Sequence, residues 1–302
     1  MSPKPSDPPA ASKPSPAETV PSPATGGELA LVATPIGNLG DLTRRAADYL
    51  QAADCIACED SRVTLRLLQH LGLKKPLIVY HDHNAEEMRP QLMERLQRGE
   101  KMALVSDAGT PLISDPGFKL VRAAAAAGIR VTALPGPSAP IMALILSGLP
   151  SDRFLFLGFL PPRSTARRGE LAEVAQVRAS LILFETAPRL VDALEDLLAV
   201  LGDRPAAVAR ELTKMFEEVR RGPLSELAAH YREAGPPRGE IVLVVGPPAA
   251  AVPADAADLD AALGAALAKM RVKEAAEAVA AALGLPRRQV YQRALELKEG
   301  GD

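Results

Sequence analysis

Cysteine is nearly absent from this chain: of 302 residues only Cys55 and Cys58 carry a thiol. Their C-x-x-C spacing invites a metal or redox reading, yet no second pair exists to complete a four-ligand zinc site. Residues 54–58 read as a short strand leading into a loop. Positions three apart on a strand point to opposite faces, so the thiols are expected to be small core residues, and no metal is expected. A surplus of either charge is missing too. With 35 Lys and Arg against 37 Asp and Glu, the net charge is −2, which argues against coating nucleic acid by bulk charge and leaves that task to local basic patches. Apolar runs stay short of the roughly 18 to 20 residues that cross a bilayer. The N-terminus lacks a basic stretch followed by an apolar segment and cleavage site, so no membrane association and a cytoplasmic location are expected. Neither a Walker sequence nor G-x-G-x-x-G occurs, which removes support for the usual phosphate cradle and for the dinucleotide loop.

What the chain does contain is a set of tightly specified loops after strand-like runs. Residues 106–117, SDAGTPLISDPG, follow the apolar run 102–105. Gly109 and Gly117 open backbone angles closed to other residues, while Pro111 and Pro116 fix φ and remove donors, so the loop should hold one path past a ligand. A second loop, ATPIGNLGDLTRRA at 33–46, turns through Pro35, Gly37 and Gly40 after the strand 29–32, with Asp41 expected to cap the next helix. PGPSA at 135–139 follows the run 129–134 in the same way.

A hydrophobic content of 47% in a chain of this length describes a globular protein with room for two core-bearing domains and a further piece. Residues 1–27 are Pro-, Ser- and Ala-rich with almost no large apolar side chain, and are expected to be a disordered tail. Strands are expected at 29–32, 55–57, 77–80, 102–105 and 129–134, and helices at 42–51, 64–71, 86–98 and 117–127. That alternation implies a mainly parallel sheet covered by helices, over a domain spanning 28–150. A second α/β domain, 151–248, carries strands at 154–158, 180–184, 206–210 and 241–245 and helices at 165–176, 190–200 and 225–233. GPPAAAVPA at 246–254 reads as a linker within a tail of 249–302, whose last two helices, joined at 284–286, resemble a helix-turn-helix.

ATPIGNLGDLT, CEDSR, SDAGTPLISDPG and PGPSA, followed in order by FLGFLP, ETAPRL, RELTK and GEIVLVV, resemble the ribosomal RNA small subunit methyltransferase I family. This family belongs to the tetrapyrrole methylase superfamily, the class III methyltransferases. The resemblance covers 29–246. It implies two α/β domains with S-adenosylmethionine folded in the cleft between them, held mainly by loop backbone, and a small C-terminal helical domain. Carried over by position, Pro35, Ile36 and Gly37 form the floor of the first loop. Val105, Asp107, Ala108 and Gly109 pass the methionine moiety, with Leu112 or Ile113 packing on it, and Ser138 and Ala139 lie along the donor. Phe184 or Glu185 and the stretch Arg210, Glu211 and Leu212 would surround the adenine. The tetrapyrrole enzymes have G-x-G-P-G-D where this chain has T-P-I-G-N-L, a departure that favours the RNA branch. The family further implies a homodimer and, as substrate, a cytidine 2′-hydroxyl of 16S ribosomal RNA, on the assembled small subunit.

Methyl transfer to a ribose hydroxyl requires alignment of donor, carbon and oxygen and loss of a weakly acidic proton. CEDSR offers Glu59, Asp60 and Arg62 at a strand end, either as proton acceptor and substrate contact or as a capping and salt-bridge cluster. YHDHN adds His81, Asp82, His83 and Asn84, of which His83 and Asn84 are substrate-contact candidates. Lys214 could serve as a base only if desolvation lowers its pKa. Basic residues gather at Arg163, Arg167 and Arg168 and, in the tail, at Arg271, Lys273, Arg287, Arg288 and Arg293, with Tyr291 offering a stacking surface. The alternative for these is a set of solvated helix faces. Rival functions are a tetrapyrrole C-methyltransferase or diphthine-synthase-like methylase, and a non-catalytic RNA-binding assembly factor. T-P-I-G-N-L and the basic tail speak against the former, the intact donor loops against the latter.

Overall fold

A computed structural model describes residues 26–249, 256–283 and 285–299. The expected disordered tail thus falls outside the described residues up to residue 25, as do part of the linker and the Gly284 joint. Two compact units divide the chain: Met1–Pro35 with Leu39–Pro137, and Ile36–Asn38 with Ser138–Asp302.

The first unit alternates strands and helices as the apolar runs require: Glu28–Val32 (β1), Arg44–Ala52 (α1), Cys55–Cys58 (β2), Ser61–His70 (α2), Leu77–Val79 (β3), Ala85–Gln97 (α3), Lys101–Val105 (β4), Phe118–Ala126 (α4) and Arg130–Leu134 (β5). All strand pairs are parallel, in the order β3-β2-β4-β1-β5. Successive strand residues divide between two cores. Leu29, Cys55, Ala57, Met102 and Leu104 pack with Leu92, Leu96 and Leu120 from α3 and α4. Ala30, Val32, Ile56, Cys58, Ala103 and Val105 pack with Leu50, Leu67 and Leu68 from α1 and α2. Cys55 and Cys58 therefore do lie on opposite faces, and burial pushes the Cys55 thiol up to about 11. One expectation is corrected: Asp41 ends a 3-10 turn, Leu39–Asp41, and Thr43 caps α1 instead, its Oγ1 accepting from the Ala46 amide at 3.2 Å. The short turn sets the helix start two residues later than the apolar pattern suggests.

In the second unit Phe154–Phe159 (β6), Ser180–Thr186 (β7), Pro205–Arg210 (β8), Glu218–Pro223 (β9) and Glu240–Val245 (β10) form a mixed sheet of order β6-β7-β10-β8-β9. Only β6 and β7 run parallel. Leu181, Leu183, Val208, Leu243 and Val245 face helices Ser164–Val174 (α6), Leu190–Leu201 (α7) and Leu224–Ala234 (α8). Ile182, Ala209, Val242 and Val244 face Ala139–Ser147 (α5) and Ile36. That apolar packing is why 138–147 and 36–38 group with the second sheet, whereas the sequence break suggested a boundary near 150. Strand β9, unanticipated from sequence, is a sheet edge carrying Glu218, Arg220 and Arg221; charge on an edge discourages pairing with other chains and hides the strand's periodicity.

The tail holds Ala256–Leu267 (α9), Val272–Leu283 (α10) and Arg287–Glu299 (α11) around its own apolar cluster of Leu259, Leu263, Ala276, Val279, Val290 and Ala294. Arg293 clamps α9 to α11 by two bonds of 2.7 Å to the Asp260 carboxylate.

Candidate active site

In the first unit β1 sends its chain to the α1 face and its neighbour β4, by way of α4, to the other face. Adjacent parallel strands that diverge in this way leave a crevice at their carboxyl ends, where open α/β sheets bind ligands. The loops at that edge are tied together. Thr34 and Gly109 exchange backbone hydrogen bonds of 2.9 and 3.1 Å, and Thr34 Oγ1 donates to the Ser106 carbonyl at 3.0 Å. Ser106 Oγ binds both the amide and the carbonyl of Ala108. Thr110 Oγ1 donates to the Pro137 carbonyl at 3.0 Å, and the Asp107 carboxylate accepts the Asp60 amide at 3.0 Å. Loops after β1, β2, β4 and β5 thus form one braced rim. Thr34, Ser106 and Thr110, which do the bracing, were not singled out from the sequence; hydroxyl residues beside Gly and Pro at strand ends were the available signal.

The long loop is also strained. Gly109 has φ 83° and Gly117 φ 132°, and the non-glycine residues Leu112 and Ser114 sit at φ 72° and 67°. Two such residues so close together are held only where surrounding structure over-determines them, a hallmark of ligand-binding segments.

Three carboxyl groups collect at this edge. Burial pushes Glu59 above the usual carboxylate range, and Asp107, Asp115 and Asp82 push it further, against His81. Asp107 is raised by burial, partly offset by the Asp60 amide. Asp115 is raised by burial as well, and its buried Oδ2 has no hydrogen-bond partner. Asp60 behaves oppositely: hydrogen bonds from Arg62 hold it at about 2, and its carboxylate caps α2 by accepting the Arg62 amide at 2.8 Å. A strongly acidic, helix-capping carboxyl is a poor proton acceptor, so Asp60 and Arg62 form the capping pair and Glu59 alone of CEDSR is left as a base candidate. His83 is exposed, with its ring edge-on to His81 at 5.7 Å. Asn84 is spent on its own loop, accepting the His81 amide and donating to the Val79 carbonyl, both at 2.9 Å. It braces the loop in place of the expected substrate contact.

The candidates in the second unit sort differently. Ile36 and Leu212 are buried in the α5-side core, and Ala139 packs against it. Gly37, at φ 155°, leaves room for Lys214: a Cβ there would lie 2.4 Å from the lysine Cγ. Phe184 stacks edge-on with Phe156 at 5.0 Å and lies 5.3 Å from Phe159, an aromatic wall. Glu185 is buried and accepts the Thr186 amide at 2.7 Å, with Arg189 3.3 Å away. Arg210 is paired with Glu218 at 2.9 Å, and Glu211 sits at φ 51°. Lys214 is corrected as a base: burial pulls its ammonium down, but hydrogen bonds to Glu211 at 2.7 Å and Glu240 at 2.9 Å outweigh that and raise it. Arg167 is corrected as an RNA contact. It is buried, and its guanidinium is consumed by Asp196 at 2.6 Å and by the carbonyls of Pro161 and Pro162. Arg168, half exposed, joins the same carboxylate, while Arg163 is exposed at the start of α6.

A family profile for Tetrapyrrole (Corrin/Porphyrin) Methylases matches residues 28–228, and a second, for the RsmI C-terminal HTH domain, matches 253–298. The chain is 50% identical to the ribosomal RNA small subunit methyltransferase I of Mesorhizobium japonicum, across 90% of this chain and 92% of the relative. It is 48% identical to that of Escherichia coli O157:H7, across 89% and 95%. Among solved structures it resembles diphthine synthase, with TM-score 0.57 and 18% identity over 73% of this chain and 90% of that one. It also resembles a Thermus thermophilus uroporphyrin-III C-methyltransferase complexed with S-adenosylhomocysteine, with TM-score 0.51 and 20% identity over 73% and 97%. The family's reaction uses S-adenosylmethionine, and the rim suits it: raised carboxyls and the orphaned Asp115 oxygen want the positive charge and hydroxyl donors that this molecule carries. The chain belongs to the tetrapyrrole methylase family and, within it, to the ribosomal RNA small subunit methyltransferase I group.

Proposed function

We propose that this chain transfers a methyl group from S-adenosylmethionine to the 2′-oxygen of a cytidine in 16S ribosomal RNA, with the assembled small subunit as substrate. The observation that carries the reading is identity of about half of all residues with ribosomal RNA methyltransferases over nine-tenths of the chain, the tail included. Bound S-adenosylmethionine supplies a methyl on a sulfonium, whose departure as a neutral thioether needs no acid. The donor would be held by the loops of Pro35, Ile36 and Gly37, of Val105, Asp107, Ala108, Gly109 and Ile113, and of Ser138 and Ala139. Phe184, Glu185, Arg210, Glu211 and Leu212 complete the set. Fixed loops supply most of what an in-line displacement asks of a protein, namely alignment. Glu59, whose raised carboxyl makes it a stronger proton acceptor than an ordinary glutamate, takes the ribose proton as the O–C bond forms. His83 and Arg163, exposed and without an ion pair among the described residues, are the remaining candidate substrate contacts in the α/β units.

A preference for the assembled subunit follows from the charge balance. At net charge −2 the protein has little nonspecific grip, so a shaped acceptor must supply orientation through several contacts at once. No helix among the described residues is long and apolar enough to cross a membrane. A cytoplasmic setting and a homodimer belong to the same proposal; sedimentation equilibrium reads the latter. Alkaline hydrolysis of RNA methylated by the purified enzyme tests the reaction, because a 2′-O-methyl group removes the internal nucleophile and protects the adjacent phosphodiester. A labelled methyl on a base or a protein, with no protected gap, overturns it.

A further inference from the structure

A hollow in the tail is lined by none of the residues assigned to the donor or to the proton acceptor. Lys273, in the first turn of α10, and Arg287, Arg288 and Tyr291, on α11, line it. Arg287 is paired with Glu277. Among the described residues, the side chains of Lys273 and Arg288 make no hydrogen bond or ion pair and Tyr291 makes no ring contact, although Tyr291 is 40% exposed. Further along α11 Arg293 is held by Asp260 and Glu296, while Lys298 stands exposed in the last turn, away from the hollow. Unpaired positive charge and an open aromatic face therefore meet in one concave spot.

We propose that this hollow takes one unpaired nucleotide of the RNA, its base against the Tyr291 ring and its phosphate between Lys273 and Arg288. The inference rests on the RNA reading above and narrows it. A ligand that satisfies the hollow must present a flat π surface next to a negative charge, which a single-stranded nucleotide does at every repeat. A duplex offers phosphates but keeps its bases stacked inside, which leaves the tyrosine ring without a partner. Within the hollow the two free cations suit a single phosphate rather than the run of phosphates along a duplex. The tail is thereby a reader of a splayed-out nucleotide, despite its match to a helix-turn-helix profile.

The test is fluorescence anisotropy of the full-length protein with a short labelled single-stranded RNA, and with a hairpin duplex of equal charge. Tyr291→Ala should weaken single-strand binding about 5- to 100-fold, whereas Tyr291→Phe, which keeps the ring, should stay near wild type. Arg288→Ala should reduce the slope of log affinity against log salt by about 0.7, the loss of one single-strand phosphate contact. These side chains lie outside the tail's apolar cluster, so the variants keep its core. Tighter binding of the duplex, equal losses for the alanine and phenylalanine variants, indifference to both Tyr291→Ala and Arg288→Ala, or displacement of RNA by an acidic peptide would each overturn the proposal. Mapping the methyl group with the same variants separates it from the assigned reaction. A methyl on a base, with the binding losses intact, sinks the reaction and leaves the subsite. A protected 2′ position, with binding indifferent to Tyr291, does the reverse.

Discussion

The Thr34 and Gly109 amides each donate to the other residue's carbonyl, at 2.9 and 3.1 Å, where β1 and β4 part company. That reciprocal pair ties the first donor loop to the strained one, and it depends on Gly109 at φ 83°. Gly109→Val places a β-branched residue in a region it enters at a penalty of roughly 1–3 kcal/mol. The expected outcome is a protein that still melts cooperatively but loses most of its affinity for S-adenosylmethionine by calorimetry. Undiminished affinity would remove this loop from the donor site.

Glu59 and Asp60 are adjacent but should separate in kinetics. Glu59→Gln is expected to lower kcat about 100-fold or more, the range of general-base loss, with donor affinity retained. Asp60→Asn should leave the chemistry nearly intact, since asparagine also caps helices well. In wild type the base works only when ionised, so activity falls as pH drops through the raised Glu59 pKa, above the ordinary glutamate value. Asp107→Asn removes a repelling carboxylate and should move that acid limb to lower pH. A pH–rate profile unmoved by both Glu59→Gln and Asp107→Asn would exclude Glu59 as the base.

Lys214 is an ion-paired strut between Glu211 and Glu240. Because its pKa is raised, Lys214→Met should leave the alkaline side of the pH–rate profile in place while lowering thermal stability. Disappearance of an alkaline-activated limb in the variant would restore the lysine as a base.

Arg167 and Asp196 are buried partners, so removing one strands the other. Asp196→Ala should destabilise by about 3–5 kcal/mol in chemical denaturation, whereas replacing both by apolar residues of similar size should recover much of the loss. The Asp196 carboxyl is raised by burial but lowered more by Arg168, Ser164 and Arg167, ending below its usual value. Its contribution is present above the unfolded-state pKa and is lost as pH falls through the depressed folded one, so the wild type should lose it only under strongly acidic conditions. A variant as stable as wild type near neutrality would show the pair to be dispensable.

Deleting 255–302 removes a segment with its own apolar cluster and should leave donor affinity nearly intact while weakening engagement of ribosomal RNA, most at low salt, because the lost phosphate contacts make the remaining binding less salt-dependent. Full methylation of the natural substrate by the truncated protein would contradict this.

The alternation of apolar runs and helical stretches, and the Gly and Pro positions after them, determined the parallel first sheet, the loops at its carboxyl edge and the opposed faces of Cys55 and Cys58. These follow from neighbours in the chain: side-chain period, allowed φ and missing donors act within a few residues. Strand β9 escaped notice because an exposed edge has no buried face to impose a period. Asp41 lost its cap to Thr43 because one inserted 3-10 turn moves a helix start without altering its pattern. Charge roles were decided only in three dimensions. Arg167 became structural through Asp196, 29 positions away, and Lys214 through Glu240, 26 positions away; Glu59 gained its raised pKa from burial first, and then from Asp107 and Asp115 on a neighbouring loop. Coulomb interaction and desolvation depend on distance in space and on burial, and neither quantity is written in the order of residues.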